Sequence, residues 1–536
     1  MQKLQDMFGE QLLCHVLNCQ PEDLQNPASD WTTSQSAVIS YLTHVNQALR
    51  DHHSTSQRMN ITEHLLQYIT ETETTLANLW RTTCGGTLPA IPESDDLCKN
   101  QILRLALDVY VGLLLPKDPN NFRFSPEISG AMHRHPAHPT VCHQILEDKD
   151  GLSLLFPDQE HSDIEDKYKF YEMTSWIQVS TGSGRTTQLA TFTENILKSA
   201  YDRSLLLGDT SLGAYLLQVS ETIEDARSLA RGNEINVPAV IGISNISLGD
   251  IESIKFLSGT LMHANSNHQR FLAPRPSAGT VLISRLPLKI IEIAKWDSET
   301  FQDFRKQTDQ HEQNFQKWYR NLRDSVDNVR FTLLCSSMHQ LYIATRQESY
   351  TLLDPLEHAP NLQWDYVASV PAGQMTVTSN QIELIEHWDS TLNRTPHTLK
   401  IAIRRLLAAV SERLDPIDGF IDAVMAWENL FSSTPETTMR VCGALSKLLE
   451  SDPSKRKQLF RELKNLYNLR SKLVHGADTE EPAMRVMLEK RDRAISVGLD
   501  AMRKVFEIPS FPAMKSSDRS DALLLYMPEG LSETQP

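Results

Sequence analysis

A chain of 536 residues is too long for one core at the usual ~100–200 residues per domain, and its 52 basic against 68 acidic side chains, a net charge of −16, exclude nucleic-acid binding over the whole surface. With 40% hydrophobic and 22% charged residues the composition is that of an ordinary globular protein, and no run approaches the ~20 apolar residues that span a bilayer. Seven cysteines, odd in number and never spaced C-x-x-C, argue against a disulfide framework; the opening MQKLQDMFGEQLLCH, broken by Asp6, Glu10 and Gln11, predicts no signal peptide and a cytoplasmic chain.

The predicted architecture is multidomain and mainly α, with an α+β middle region and a C-terminal all-α bundle. Residues 1–235 form a mostly helical N-terminal region. LQDMFGEQLLCHVLNC, SQSAVISYLTHVNQAL, ITEHLLQYITETETTLANLW and QILRLALDVYVGLLL each place apolar residues three and four apart, between breakers at Pro21, Pro27, Gly85-Gly86 and Pro89. The opening FGEQLLCHVLNCQPEDLQNP has the outline of a helix-turn-helix, yet residues 1–60 hold three basic against six acidic side chains, the wrong sign for reading DNA. From about 116 to 166, prolines, histidines and acids predict an irregular connection. Four histidines and Cys142 fall between His133 and His143, but the spacing matches no standard zinc site and the prolines predict an exposed loop. TTQLATFTENILKSAYDRSLLL and GAYLLQVSETIEDARSLA return to helix. Ser180-Thr-Gly-Ser-Gly-Arg-Thr-Thr187 just before them looks like a phosphate loop, but it lacks the first glycine and has Arg185 in place of lysine, so it reads as a capped helix start.

Residues 236–385 form the α+β region. VPAVIGIS, GTVLISRL, LKIIEIA, RFTLLCS and LYIATR read as strands, interrupted by one polar helix from about Ser298 to Val329. Residues 386–508 are helical. The tail, 509–536, holds prolines, serines and acids around one LLLY run and is expected to dock only briefly.

One helix breaks its own pattern. In SKRKQLFRELKNLYNLRSKLVHG, the residues Leu459, Leu463, Leu466, Leu473 and Val474 make an apolar stripe, and Arg470 lies on it where a leucine is expected. A charge there needs either a buried partner, for which Glu428 and Asp422 are the candidates, or a chemical role. His475 follows five residues later at the helix end, closed by Gly476. Five positions turn an ideal helix by about 140°, so the two side chains converge only if the last turn distorts or a second copy packs alongside. Between Lys447 and His475, eight basic residues against three acidic ones give a local +5 inside the −16 chain. Arg461, Lys464 and Lys472 are the candidate contacts to a polyanion.

Arg470-Ser-Lys-Leu-Val-His475 resembles the R-x(4–6)-H signature of HEPN domains, and LYNLRSKLVHG resembles the Apea-like subgroup in particular. Upstream, RRLLAAVSERLDPIDGFIDAVMAWENLF is similar to that subgroup's opening helices, with Asp418, Asp422 and Glu428 at the matching positions. The resemblance runs from about Leu399 to about Val505. It implies an endoribonuclease that needs no metal or cofactor, acting as a homodimer or higher homo-oligomer on RNA, tRNA among the candidates, with Arg470 and His475 catalytic. Ser471 and Asn468 flank the arginine and could orient it. The resemblance also implies a role in anti-phage defence by abortive infection, with a phage-derived trigger. The −16 of the chain set against the local +5 offers a means by which the preceding ~380 residues restrain or trigger the nuclease, so a fragment beginning near Leu384 is expected to be more active than the intact chain. The rival reading is a non-catalytic scaffold whose HEPN helices only dimerise, with a ligand- or phage-protein-sensing middle domain.

Overall fold

The computed structural model describes residues 1–25, 31–50, 56–91, 94–116, 128–157, 159–272, 279–295, 308–337, 345–357, 361–363, 374–432, 436–475 and 483–525. Gly9, at φ 80°, separates the helices Gln2–Phe8 and Glu10–Leu17, and Leu4, Phe8, Leu12, Leu13 and Val16 pack inward from both. The helix predicted across ITEHLLQYITETETTLANLW is interrupted. Ser56–Leu65 and Leu76–Thr83 are helical, and between them Tyr68–Ile69 pairs antiparallel with Thr74–Thr75. Thr70 to Thr75 offers no apolar side chain to the core, and threonine's branched Cβ favours extended backbone.

The expected irregular connection is largely ordered helix: Ser129–Arg134, His138–Glu147 and His161–Glu165, with a short tight turn at Leu152–Leu155. Ala131, Met132, Val141, Ile145 and Leu152 are buried, so apolar residues dispersed among prolines and histidines still define an inner face. Residues 117–127 lie outside the described residues.

Three long helices carry the first core. Leu97–Leu113 starts at Asp96, whose carboxylate accepts from Lys99 N at 3.0 Å; Leu212–Ala230 starts at Ser211, whose hydroxyl accepts from Ala214 N at 3.4 Å; Leu189–Leu207 ends at left-handed Gly208. Beside them lies a six-stranded antiparallel sheet in the order 361–363, 345–352, 235–244, 280–288, 259–263, 253–256. Ser180 to Thr187 is not a helix start. Thr174–Val179 and Gly184–Gln188 form a hairpin whose first strand pairs with Ile290–Lys295, and Arg185 is tied to Asp354 at 2.7 Å and to Glu357. The N-terminal helices and the sheet therefore share one apolar core, running from Leu4 to Ile385.

RFTLLCS is helix, not strand. It ends a long helix, Thr308–Ser336, that joins the two halves of the molecule. Trp318, Leu322 and Val326 lie in the first core, whereas Phe331, Leu334 and Cys335 lie in the second, together with the C-terminal helices. Arg503 caps this bridging helix by donating to the carbonyls of Leu334, Cys335 and Ser337 at 3.1–3.2 Å. LYIATR is only partly described, as the start of strand Thr345–Leu352, and residues 338–344 lie outside the described residues.

The bundle comprises Ile382–Leu392, His397–Ser411, Pro416–Phe431, Thr437–Leu449, Pro453–His475 and Met484–Glu507. Asp415 and Pro416 start the third of these, with the Asp415 carboxylate accepting from Ile417 N at 2.8 Å. Trp427 is fully buried and donates to Ala494 O at 3.1 Å. Gly498 lets the two helices approach: a Cβ there would meet Leu406 at 2.7 Å and Trp427 at 3.3 Å. The tail is more than a brief contact. Helix Ser516–Leu525 packs on the bundle through Leu523, and fully buried Arg519 donates to the carbonyls of Leu430 at 2.9 Å and Asn429 at 3.2 Å, closing the end of helix Pro416–Phe431. Residues 526–536 lie outside the described residues. Among the described residues no helix is long and apolar enough to cross a membrane.

Candidate functional site

The motif helix is Pro453–His475. Asp452 caps it, its carboxylate accepting from Ser454 N at 2.8 Å and Lys455 N at 2.9 Å, and Leu463, Leu466 and Tyr467 anchor it to the bundle. It stays α-helical through His475, so the last turn does not bend Arg470 and His475 onto one face. Gly476, predicted to close it, lies outside the described residues.

Arg470 turns towards the bundle. Its Nη2 meets Glu428 Oε2 at 3.3 Å, and the Tyr467 hydroxyl donates to Glu428 Oε1 at 2.6 Å, so one carboxylate holds both side chains. The pair is half-buried, with 18% of the Arg470 side chain and 21% of the Glu428 side chain exposed, and Arg470 Nε is enclosed without an acceptor among the described residues. Burial pushes the Tyr467 hydroxyl up, and its bond to Glu428 pushes it further, keeping it protonated as the donor. Tyr467 was not singled out by the sequence reading. Its position three residues before Arg470, on the same face, is the signal that could have found it.

Asp422 has a different task. It is buried and bound to Arg405 at 2.5 Å and Arg413 at 2.6 Å, fastening helix Pro416–Phe431 to helix His397–Ser411, and it does not reach Arg470. Asp418 lies in the first turn of its helix, where an acid favours the helix dipole.

His475 is exposed, as are Arg461, Lys464, Asn468 and Lys472, while Ser471 is half-buried. Spacings of three, four, four and three residues put Arg461, Lys464, Asn468, Lys472 and His475 along one solvent-facing stripe. The acid within this segment is neutralised from behind, as Glu462 accepts from Arg493 at 2.6 and 3.1 Å. The helix thus presents cations and an imidazole outward and the Arg470–Glu428–Tyr467 triad inward.

The histidine-rich segment is interior rather than an exposed loop. His135 and His138 are buried; His133 and His138 both approach Ala190 O, at 3.2 and 3.0 Å, and His135 lies 3.3 Å from Asp108. Among the described residues no group of three or more His, Cys, Asp or Glu is placed to hold a metal ion. Burial, then the neighbouring His133, pushes His138 down to about 4 from its ordinary 6.5, so it is neutral in the fold and charges on unfolding in mild acid. Its contribution to stability is complete above about pH 6.5 and is lost as pH falls towards about 4. The melting temperature of the wild type should fall over that window, and His138→Gln should flatten the fall without removing it, since burial and Arg81 push His15 down to about 3 as well. Equal slopes in the two proteins would refute this assignment.

Comparison with protein-family models, curated proteins and solved structures finds no match to this chain.

Proposed function

We propose that the chain is a metal-independent endoribonuclease of the HEPN type, active as a homodimer, in which His475 transfers protons and Arg470 steadies the phosphate. The observation that carries this reading is the exposed stripe of Arg461, Lys464, Asn468, Lys472 and His475, which offers a polyanion both cations and a titratable group on one helix face. When an RNA 2′-hydroxyl attacks the adjacent phosphate, a proton acceptor, a proton donor and a cation must be at hand. Histidine, with an unperturbed pKa near ~6.5, can take either proton role, and arginine supplies a permanent charge on a planar fork suited to phosphate oxygens. The products are a 2′,3′-cyclic phosphate and a 5′-hydroxyl. Because Arg470 and His475 of one chain face about 140° apart, the cleft draws on two copies packed about an axis near His475. A setting in anti-phage defence, with RNA cleavage released by a phage-derived trigger, follows from the sequence resemblance.

A second reading has its own observation. The half-buried Arg470–Glu428 pair is the kind of structural ion pair a non-catalytic dimerisation scaffold would use. Incubating the purified chain with total RNA in excess chelator separates the two. The nuclease leaves cyclic-phosphate ends, and Arg470→Lys, which keeps the charge but loses the fork, cuts on the order of a hundredfold more slowly with little change in melting temperature. Intact RNA from a well-folded dimer leaves the scaffold reading in place.

A further inference from the structure

A large cleft among the described residues has no part in the RNA-cutting reading. It is an open cleft of about 810 Å³ between the N-terminal half of the bridging helix and the start of helix His397–Ser411, within the ~300–1,000 Å³ range of small-ligand sites. Lys317 and Arg320 line it from the bridging helix; His397, Lys400 and Arg404 line it from the other side. Against these cations stand Glu312 and Asp324. Asp324 is committed, with Lys400 Nζ at 2.7 Å and Arg404 Nη2 at 2.5 Å. Burial pushes its carboxyl up, but these two cations outweigh that and hold it below the usual carboxylate range.

The remaining donors are unspent. Lys317 makes no ion pair among the described residues, and Arg320 only donates Nε back to Gln316 O of its own helix at 3.1 Å. Arg404 Nε is enclosed with no acceptor among the described residues. His397 opens a helix of 15 residues, so free backbone N–H groups and the positive end of the helix lie at the same cleft. The rest of the described lining is amide, including Asn314 and Asn321, and among the described residues no Phe, Tyr or Trp lines the cleft as a surface on which a nucleobase could stack.

We infer that this cleft binds a small anion carrying two or more clustered phosphates, recognised through the phosphates and not through a base. The occupant spans the two helices that couple the sheet-containing half to the bundle, the joint through which the upstream residues could restrain the motif helix. The inference stands whether or not His475 cuts RNA.

Calorimetric titration of the full chain with inorganic tripolyphosphate at low salt tests it. One saturable site per chain is expected, weakened tenfold or more in the double variant Lys317→Gln, Arg320→Gln, whose exposed positions leave folding intact, and unchanged in His475→Ala. ATP should bind no tighter than tripolyphosphate. The inference is overturned by the absence of saturable binding up to millimolar ligand, by undiminished binding in the double variant, or by a large preference for ATP, which would mean a base-reading site. Displacement of tripolyphosphate by a short RNA oligonucleotide at one equivalent would also overturn it, assigning the cleft to the RNA path.

Discussion

In the proposed homodimeric nuclease, His475→Ala should reduce RNA cleavage by about 10²–10⁴-fold, the usual contribution of a positioned general acid or base, while leaving the fold and the dimer intact. The side chain is exposed at the last position of the motif helix, so its removal costs within about 0.5 kcal/mol of stability. Single-turnover cleavage with and without the substitution, beside melting temperatures, gives both halves of the prediction. Undiminished cleavage would place the chemistry elsewhere. The divergence of Arg470 and His475 adds a sharper test. Mixed and refolded, two dead proteins, His475→Ala and Arg470→Ala, form heterodimers in which one protomer keeps its arginine and its partner keeps its histidine. Partial recovery of activity on mixing is expected of a cleft shared between copies, and a mixture as inactive as its components would rule that cleft out.

What the sequence made legible is what local periodicity and capping encode. The apolar stripe of Leu463 and Leu466, the misplaced Arg470 and the start at Asp415-Pro416 depend on neighbours three and four residues away, and each appears in the fold. Glu428, 42 residues from Arg470, was one of two equally placed acids, and only packing shows that Asp422 is taken by Arg405 and Arg413. The failures have two causes. Short apolar runs do not declare their period: RFTLLCS has the length and apolar content of a buried strand, yet it continues a helix begun far upstream whose turns are already paid for. The histidines between His133 and His143 looked exposed because their prolines suggested a loop. Pro139 in fact sits in the first turn of helix His138–Glu147, where its missing N–H costs nothing.

Arg330→Ala should lower the stability of the intact chain by about 3 kcal/mol, the low end of the cost of breaking a buried ion pair. Arg330 is 1% exposed on the bridging helix, where its guanidinium meets Asp327 at 2.8 Å, Glu412 at 3.0 Å and the Ser411 hydroxyl at 2.6 Å. Truncation takes the 2.8 Å contact from the Asp327 carboxylate, itself 3% exposed, but leaves it the longer 3.5 Å contact to Arg323, and a carboxylate that keeps a cation nearby is why the low end applies. Arg330→Met, which fills the space without the charge, should cost less than the alanine variant if packing matters as well as pairing. Urea unfolding of the three proteins measures both steps, and a loss under about 1 kcal/mol in Arg330→Ala would show that water or a shifted side chain already compensates the pair. The same contacts bear on control of the proposed nuclease. A fragment beginning near Leu384, expected from the sequence to be an unrestrained enzyme, lacks Phe331, Leu334 and Cys335 from its core and leaves Arg503 without the helix end it caps. Weak activity in that fragment therefore measures a damaged bundle. Release from restraint is better sought in the full chain, where Arg330→Met loosens the joint and keeps its volume, and higher RNA cleavage by that variant than by the wild type is the outcome that an inhibitory bridging helix requires.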